Sequence, residues 1–226
     1  MAEGRLSILD GLRGLAALSV VICHYYFLAA ANPELLASKE WLPGRPVLDF
    51  FYYHGFRAVE LFWVISGFIF THIYCLGRRA TTREFAVNRL ARLYPLHLVT
   101  LGVMAVLQAA ALASFGRYLF NPYNDLYHFF LNLFMVSAWG FSAGPSYNDV
   151  IWSVSVELVI YALFWVLRGW LVVRRAMGAL ILALLCGFVV MLGPPTFIFS
   201  CGFFYFFGAM LAFASTDLRQ RRHGNA

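Results

Sequence analysis

Charge is what this chain has least of. Of its 226 residues, 12% are Asp, Glu, Lys or Arg, whereas 62% are hydrophobic and 18% aromatic. A soluble domain of this length needs far more polar surface, so the composition indicates a polytopic membrane protein, with a single soluble core as the weaker alternative. Cysteines are scarce too. Cys23, Cys75, Cys186 and Cys201 all lie in apolar runs and form no CxxC pair, so they read as reduced thiols that pack as small hydrophobes. The six histidines are scattered, with no HExxH-like spacing, and no metal site is expected. Repeats, low-complexity tracts, helix-turn-helix patterns and zinc-finger spacings are missing as well. The net charge of +6 therefore does not indicate a nucleic-acid partner. The arginines sit in short loops between apolar runs, which is the footprint of membrane orientation.

What the chain does have is a series of apolar runs. A membrane span needs ~20 mostly apolar residues. Leu12–Ala31, Val59–Leu76, Leu93–Phe115, Ile151–Val173, Ala176–Leu192 and Phe197–Ala214 qualify. Leu126–Phe141 is shorter, carries His128 and Asn132, and reads as a doubtful or re-entrant segment. The expected fold is all-α, a polytopic transmembrane helix bundle of about six full spans plus that segment. The loop Gly77–Arg92 holds Arg78, Arg79, Arg83, Arg89 and Arg92 against a single Glu84, which places this loop and the N-terminus in the cytoplasm. If Leu126–Phe141 does not cross, the later basic clusters at Arg168–Arg175 and Arg219–Arg222 also fall inside. Gly116–Asp149 is then expected at the outer face. Ala176–Leu192 follows Arg174 and Arg175 so closely that a tight helical hairpin is expected. The chain divides into a membrane domain over 1–214, expected to be incomplete at its C-terminus, and a polar, frayed cytoplasmic tail over 215–226.

Against this apolar background the few ionisable residues stand out. Asp10, Arg13 and His24 interrupt the first span. Arg13 and His24 are eleven residues apart, just over three helical turns, so they share a face ~16 Å apart along the axis. Ionisable groups at membrane depth face a protein interior or a watery cavity, and function is the default reading. The structural alternatives are snorkelling for Arg13 and a helix–helix hydrogen bond for His24. A histidine titrates near neutrality, which suits proton transfer. Arg57 and Glu60 are three apart and can pair on one face. Ser66-Gly67 reads as a small pair that admits another helix. Arg89 and Arg92, three apart, can clamp phosphate oxygens or anchor the chain to anionic lipid heads. In "NDVIWSVSVELVIY", Ser153 and Glu157 are four apart, Tyr161 follows one turn on, and Glu157 needs a cationic partner such as His24, Arg57 or Arg13.

"LDGLRGLAALSVVICH", "VELFWVISGFIF", "NRLARLYPLH" and "WSVSVELVIY" occur in that order. Together they resemble the acyltransferase-3 family of integral membrane acyltransferases, over about Ile8 to Tyr161. "FFYFFGAMLAF" is a looser match. The resemblance implies transfer of an acyl group, often acetyl from a coenzyme A thioester, to a hydroxyl of a carbohydrate or related acceptor, frequently envelope polysaccharide. It implies that His24 and Arg13 are the essential histidine and arginine. Arg89 with Arg92 correspond to an RxxR motif, and Glu157 to the acid of a WSxxxE-like motif. Trp63 and Ala58 depart mildly from the family pattern, where Phe and Gly are common. Members are usually considerably longer, with several more membrane helices.

The expected mechanism follows from these assignments. Acyl-CoA is a donor substrate rather than a resident cofactor, and Arg89 and Arg92 hold its phosphates. His24 acts as general base on the acceptor hydroxyl, Glu157 orients the imidazole, and Arg13 supports the donor or the developing charge. Asp10, Arg57, Glu60, Ser66, Trp152 and Ser153 are expected to support the acceptor or the site. The expected partners are the lipid bilayer and an envelope glycan, in a bacterial plasma membrane. Two other classes stay open at this point: a truncated non-catalytic membrane protein or accessory subunit, and a proton-coupled transporter, since intramembrane His, Arg and Glu also build relays. The transporter reading lacks a visible inverted repeat.

Overall fold

A computed structural model describes residues 2–25, 41–77, 80–193 and 197–224. All regular structure among them is helical. The helices are α1 (Ala2–His24), α2 (Arg45–His54), α3 (Ala58–Phe70), α4 (Thr82–Phe115), α5 (Leu126–Leu133), α6 (Trp152–Met191) and α7 (Phe197–Gly224). A 3-10 turn, Gly55–Arg57, joins α2 to α3, and α3 passes directly into a π-helical turn, Thr71–Cys75. The chain forms two compact units, Met1–Ile65 and Ser66–Ala226.

Local sequence sets the helix ends. Thr81 and Glu84 build a reciprocal capping box at the start of α4: the Glu84 amide donates to the Thr81 hydroxyl at 3.2 Å, and the Thr81 amide donates to the Glu84 carboxylate at 2.8 Å. Gly116 ends α4 in a left-handed conformation, φ 66°, that a side chain would strain. Asp125 caps α5 by accepting the His128 amide at 2.9 Å.

Four helical runs are long and apolar enough to cross a bilayer: Arg45–Cys75, Thr82–Phe115, Asp149–Met191 and Phe197–Arg221. This corrects the expected six. Two of the expected spans, Ile151–Val173 and Ala176–Leu192, fall within the single run Asp149–Met191. The first expected span, Leu12–Ala31, is helical to His24 and is not one of the four; residues 26–31 lie outside the described residues, as do Arg78, Arg79, Pro194 and Pro195.

Within the Asp149–Met191 run the chain reverses. Arg175 has φ 47° and ψ −133°, which no helix accommodates. A Cβ built on Gly202 would lie 2.7 Å from the Cys186 sulfur and 3.3 Å from Ile160 Cδ1. In an unbroken helix residues 160 and 186 would stand ~39 Å apart, so 152–174 and 176–191 are two arms of a hairpin. Arg175 is held at the turn by Asp217 of α7, to which its Nε donates at 3.0 Å. α7 runs parallel to the first arm: Trp152 meets Phe197, Phe164 meets Tyr205 and Arg175 meets Asp217.

Leu126–Phe141, read as doubtful or re-entrant, holds only the eight-residue α5, ~12 Å of helix against a ~30 Å hydrocarbon core. Two further expectations change. The inner loop is helical from Thr82 on, because its capping box starts α4 well before Pro95. The polar tail continues α7 as helix to Gly224 rather than fraying, tied to the hairpin turn through Asp217.

Candidate functional site

The expected site residues fall in both units. In the Met1–Ile65 unit, α1 carries Asp10, Arg13 and His24. Ala16 and Cys23 are buried, and Arg13, Val20 and His24 lie on the same partly covered stripe of the helix. Arg13 stands 3.7 Å from Asp10, one turn back. The stripe is covered because the 3-10 turn seats directly on α1. A Cβ on Gly55 would fall 2.3 Å from the Ser19 carbonyl oxygen and 2.8 Å from Cys23 Cβ. Only glycine permits this approach. It brings the turn that carries Arg57 against the residue preceding His24. Arg57 pairs with Glu60 at 3.6 Å and lies over the Phe56 ring.

The His24 ring has a defined orientation. Its Nδ1 lies 2.8 Å from the Val20 carbonyl oxygen. A carbonyl can only accept, so Nδ1 carries a proton, and in the neutral ring the lone pair is on Nε2. This is the tautomer a general base requires.

In the Ser66–Ala226 unit, Glu157 is buried on the first arm of α6 and Tyr161 one turn further. Phe70 stacks on Tyr161 at 4.5 Å between ring centroids, and the Arg89 guanidinium lies over the Phe70 face at 4.4 Å. Tyr205 meets Phe70 edge-on at 6.0 Å. Arg89 thus turns inward, while Arg92, three residues on, is exposed. Trp152 stacks on Phe197, and Ser153 is half-buried.

Ser66-Gly67 does what its size suggested. A Cβ on Gly67 would lie 1.8 Å from the Tyr205 carbonyl oxygen, so the backbones of α3 and α7 touch there.

A second polar network joins α4 to the segment 116–148. The His97 Nε2 donates to the Asn132 carbonyl at 2.8 Å. Asn148 donates to the Thr100 hydroxyl at 2.9 Å, and Asn132 donates to the Ser146 hydroxyl at 2.8 Å. His128 is buried, gives its Nδ1 proton to Asp125 at 2.8 Å and accepts the Ala143 amide at Nε2. The amide and ring of His128 hold the Asp125 carboxyl below its ordinary pKa. Burial pushes the Tyr147 hydroxyl up. Tyr161 is visible in the sequence one turn from Glu157, whereas Tyr205, Thr71 and His97 each read as an ordinary member of an apolar run. His128 and Asn132 gave a visible signal, as polar residues in a short apolar stretch.

Comparison with known proteins follows from this geometry. The acyltransferase-domain family of the acyltransferase-3 type matches residues 6–226, nearly the whole chain. This chain belongs to the acyltransferase-3 family. With four helical runs suited to crossing a bilayer, this acyltransferase-family chain is an integral membrane protein. It is 32% identical over 106 residues to "Protein 2 in picA locus" of Rhizobium radiobacter, covering 45% of this chain and 44% of the relative. It is 34% identical over 113 residues to "Exopolysaccharide production protein ExoZ" of Rhizobium meliloti, covering 49% of this chain and 33% of the relative. A "Putative O-acetyltransferase" of Staphylococcus aureus is 27% identical over 169 residues, 69% of this chain and 23% of the relative. Less than half of each relative's length is matched. No solved structure matches the chain.

Proposed function

We infer that this family member moves an acyl group, acetyl in the first instance, from acyl-CoA to a hydroxyl of an envelope carbohydrate, with His24 as general base. The observation that carries the reading is the His24 ring: donation from Nδ1 to Val20 O fixes the tautomer with its lone pair on Nε2. The relatives named for exopolysaccharide production and O-acetyl transfer support the acceptor and the acyl group.

In this mechanism Nε2 takes the acceptor's hydroxyl proton as the oxygen attacks the thioester carbonyl. The tetrahedral intermediate collapses with cleavage of the C–S bond, and the imidazolium returns the proton to the departing thiolate. Arg13, about three turns from His24 on α1, supports the donor. Arg92, exposed near the start of α4, meets the phosphates of CoA, while Arg89 acts deeper. Buried Glu157 and Tyr161, one turn apart on α6, are the polar groups at the end of the donor's path. The N-terminus and the start of α4 face the cytoplasm, and the segment 116–148 faces outward, in a bacterial plasma membrane. The test is transfer of radiolabelled acetyl from acetyl-CoA to an envelope-glycan extract by the chain in membranes. His24→Ala should lower the rate at least about a hundredfold with insertion intact; a retained rate would refute the general-base role.

A further inference from the structure

Three buried donors of the Ser66–Ala226 unit have no hydrogen-bond partner among the described residues and belong to residues that touch or adjoin Phe70: the Tyr205 hydroxyl, the Thr71 hydroxyl and Arg89 Nε. Tyr205 and Thr71 are fully buried. A buried phenol or threonine without a partner is unusual, because each such group loses its water bonds on folding. Thr71 shows this most clearly. A helical threonine can donate to the carbonyl one turn back, as Thr100 does to Leu96 at 3.1 Å and Thr216 does to Ala212 at 3.0 Å. Thr71 does not, and it opens the π-helical turn Thr71–Cys75, a local distortion found frequently at functional sites.

The three groups share one neighbourhood. Thr71 lies one turn beyond Gly67, on the face of α3 that meets the backbone of Tyr205. Arg89 covers Phe70, the residue before Thr71, and the Tyr205 ring meets Phe70 edge-on. The Tyr205 ring also meets Tyr161, at 6.0 Å between centroids. All three groups can donate a hydrogen bond, and one is cationic. Unpartnered donors of this kind suit an oxygen that gains negative charge.

We propose that the hydroxyls of Tyr205 and Thr71, with Arg89, receive the carbonyl oxygen of the donor's thioester, so that Tyr205 is a further catalytic residue. The proposal rests on the acyl-transfer reading. The carbonyl accepts from these donors in the bound thioester, and the bonds strengthen as its oxygen becomes the alkoxide of the tetrahedral intermediate.

The test uses the full chain in lipid nanodiscs and compares the wild type with Tyr205→Phe. In the wild type, acetyl-CoA should bind about threefold to tenfold more tightly than CoA, which lacks the carbonyl. Tyr205→Phe should erase that difference, raise the KM for acetyl-CoA about threefold to tenfold and lower kcat about a hundredfold. Its melting temperature should hold or rise, since only an unpartnered hydroxyl is removed. Tyr94→Phe is the contrast. The Tyr94 hydroxyl donates to the Leu133 carbonyl at 3.0 Å, so its loss should lower stability and leave kcat and the binding difference unchanged. If Tyr205→Phe fails to insert, Thr71→Val makes the same comparison. Equal binding of acetyl-CoA and CoA by the wild type, binding of neither, or an unchanged difference in the variant overturns the carbonyl site. A wild type that distinguishes the two ligands yet transfers nothing refutes acyl transfer instead.

Discussion

The two units treat their charges differently. In Met1–Ile65, charged side chains pair one turn along the same helical run and stay half-exposed: Asp10 with Arg13, Arg45 with Asp49, Arg57 with Glu60. In Ser66–Ala226, Glu157 is buried beside Tyr161 and Arg89 lies over Phe70. Exposed local pairs of the first kind contribute little, about 0–1 kcal/mol. Buried polar groups of the second kind cost more to hold and act in a low dielectric.

Both units rely on one glycine at a backbone contact, and that shared device allows the comparison to be broken most severely. Gly67→Ala would drive a methyl into the Tyr205 carbonyl, and Gly55→Ala would drive one into the Ser19 carbonyl. Each should destabilise by about 1–3 kcal/mol or more, because backbone cannot yield as a side-chain tip can. Gly67→Ala, the tighter of the two at 1.8 Å against 2.3 Å, should be the worse. Thermal unfolding in detergent with limited proteolysis reads both. Wild-type stability for Gly67→Ala would contradict the packing of α3 on α7.

Arg89 and Arg92 sharpen the contrast within one helix. Arg89→Ala removes a half-buried cation from the Phe70 face and should cost about 1–2 kcal/mol. Arg92→Ala should leave stability within about 0.5 kcal/mol and raise the KM for acyl-CoA. Equal stability losses in the two variants would show that Arg89 is no more embedded than Arg92.

The smallest effect concerns Asp125. Its folded pKa is depressed, so its hold on the first turn of α5 is complete above the unfolded carboxylate pKa and is lost as the pH falls through the folded value. Protection of the His128 amide against hydrogen exchange should therefore drop on acidification. Asp125→Asn, which still caps the helix but does not titrate, should flatten that dependence. An identical pH profile in the variant would assign the change to another group.

Much of this was legible in the sequence. Apolar run length located the material of the four membrane-suited runs. Arg174-Arg175, between two such runs, marked the hairpin turn, and Ser66-Gly67 marked a helix contact. The runs number four rather than six because Ile151–Val173 and Ala176–Leu192 are joined as the two arms of Asp149–Met191, folded back at Arg175, and because Leu12–Ala31 is not among the four. Leu126–Phe141 stayed ambiguous because its composition fits a core helix and a short span equally well. Within the site, the spacing of Arg13 and His24 predicted a shared face, and the WSVSVELVIY pattern placed Tyr161 one turn from Glu157. Tyr205 and Thr71 were invisible, because a hydroxyl without a partner is a property of three-dimensional packing.

The most direct test of the account is label transfer from radiolabelled acetyl-CoA to envelope glycan by the wild type and by His24→Ala, compared at equal membrane insertion. The account predicts transfer by the wild type and a loss of at least about a hundredfold in the variant. Equal transfer by the two chains would contradict it.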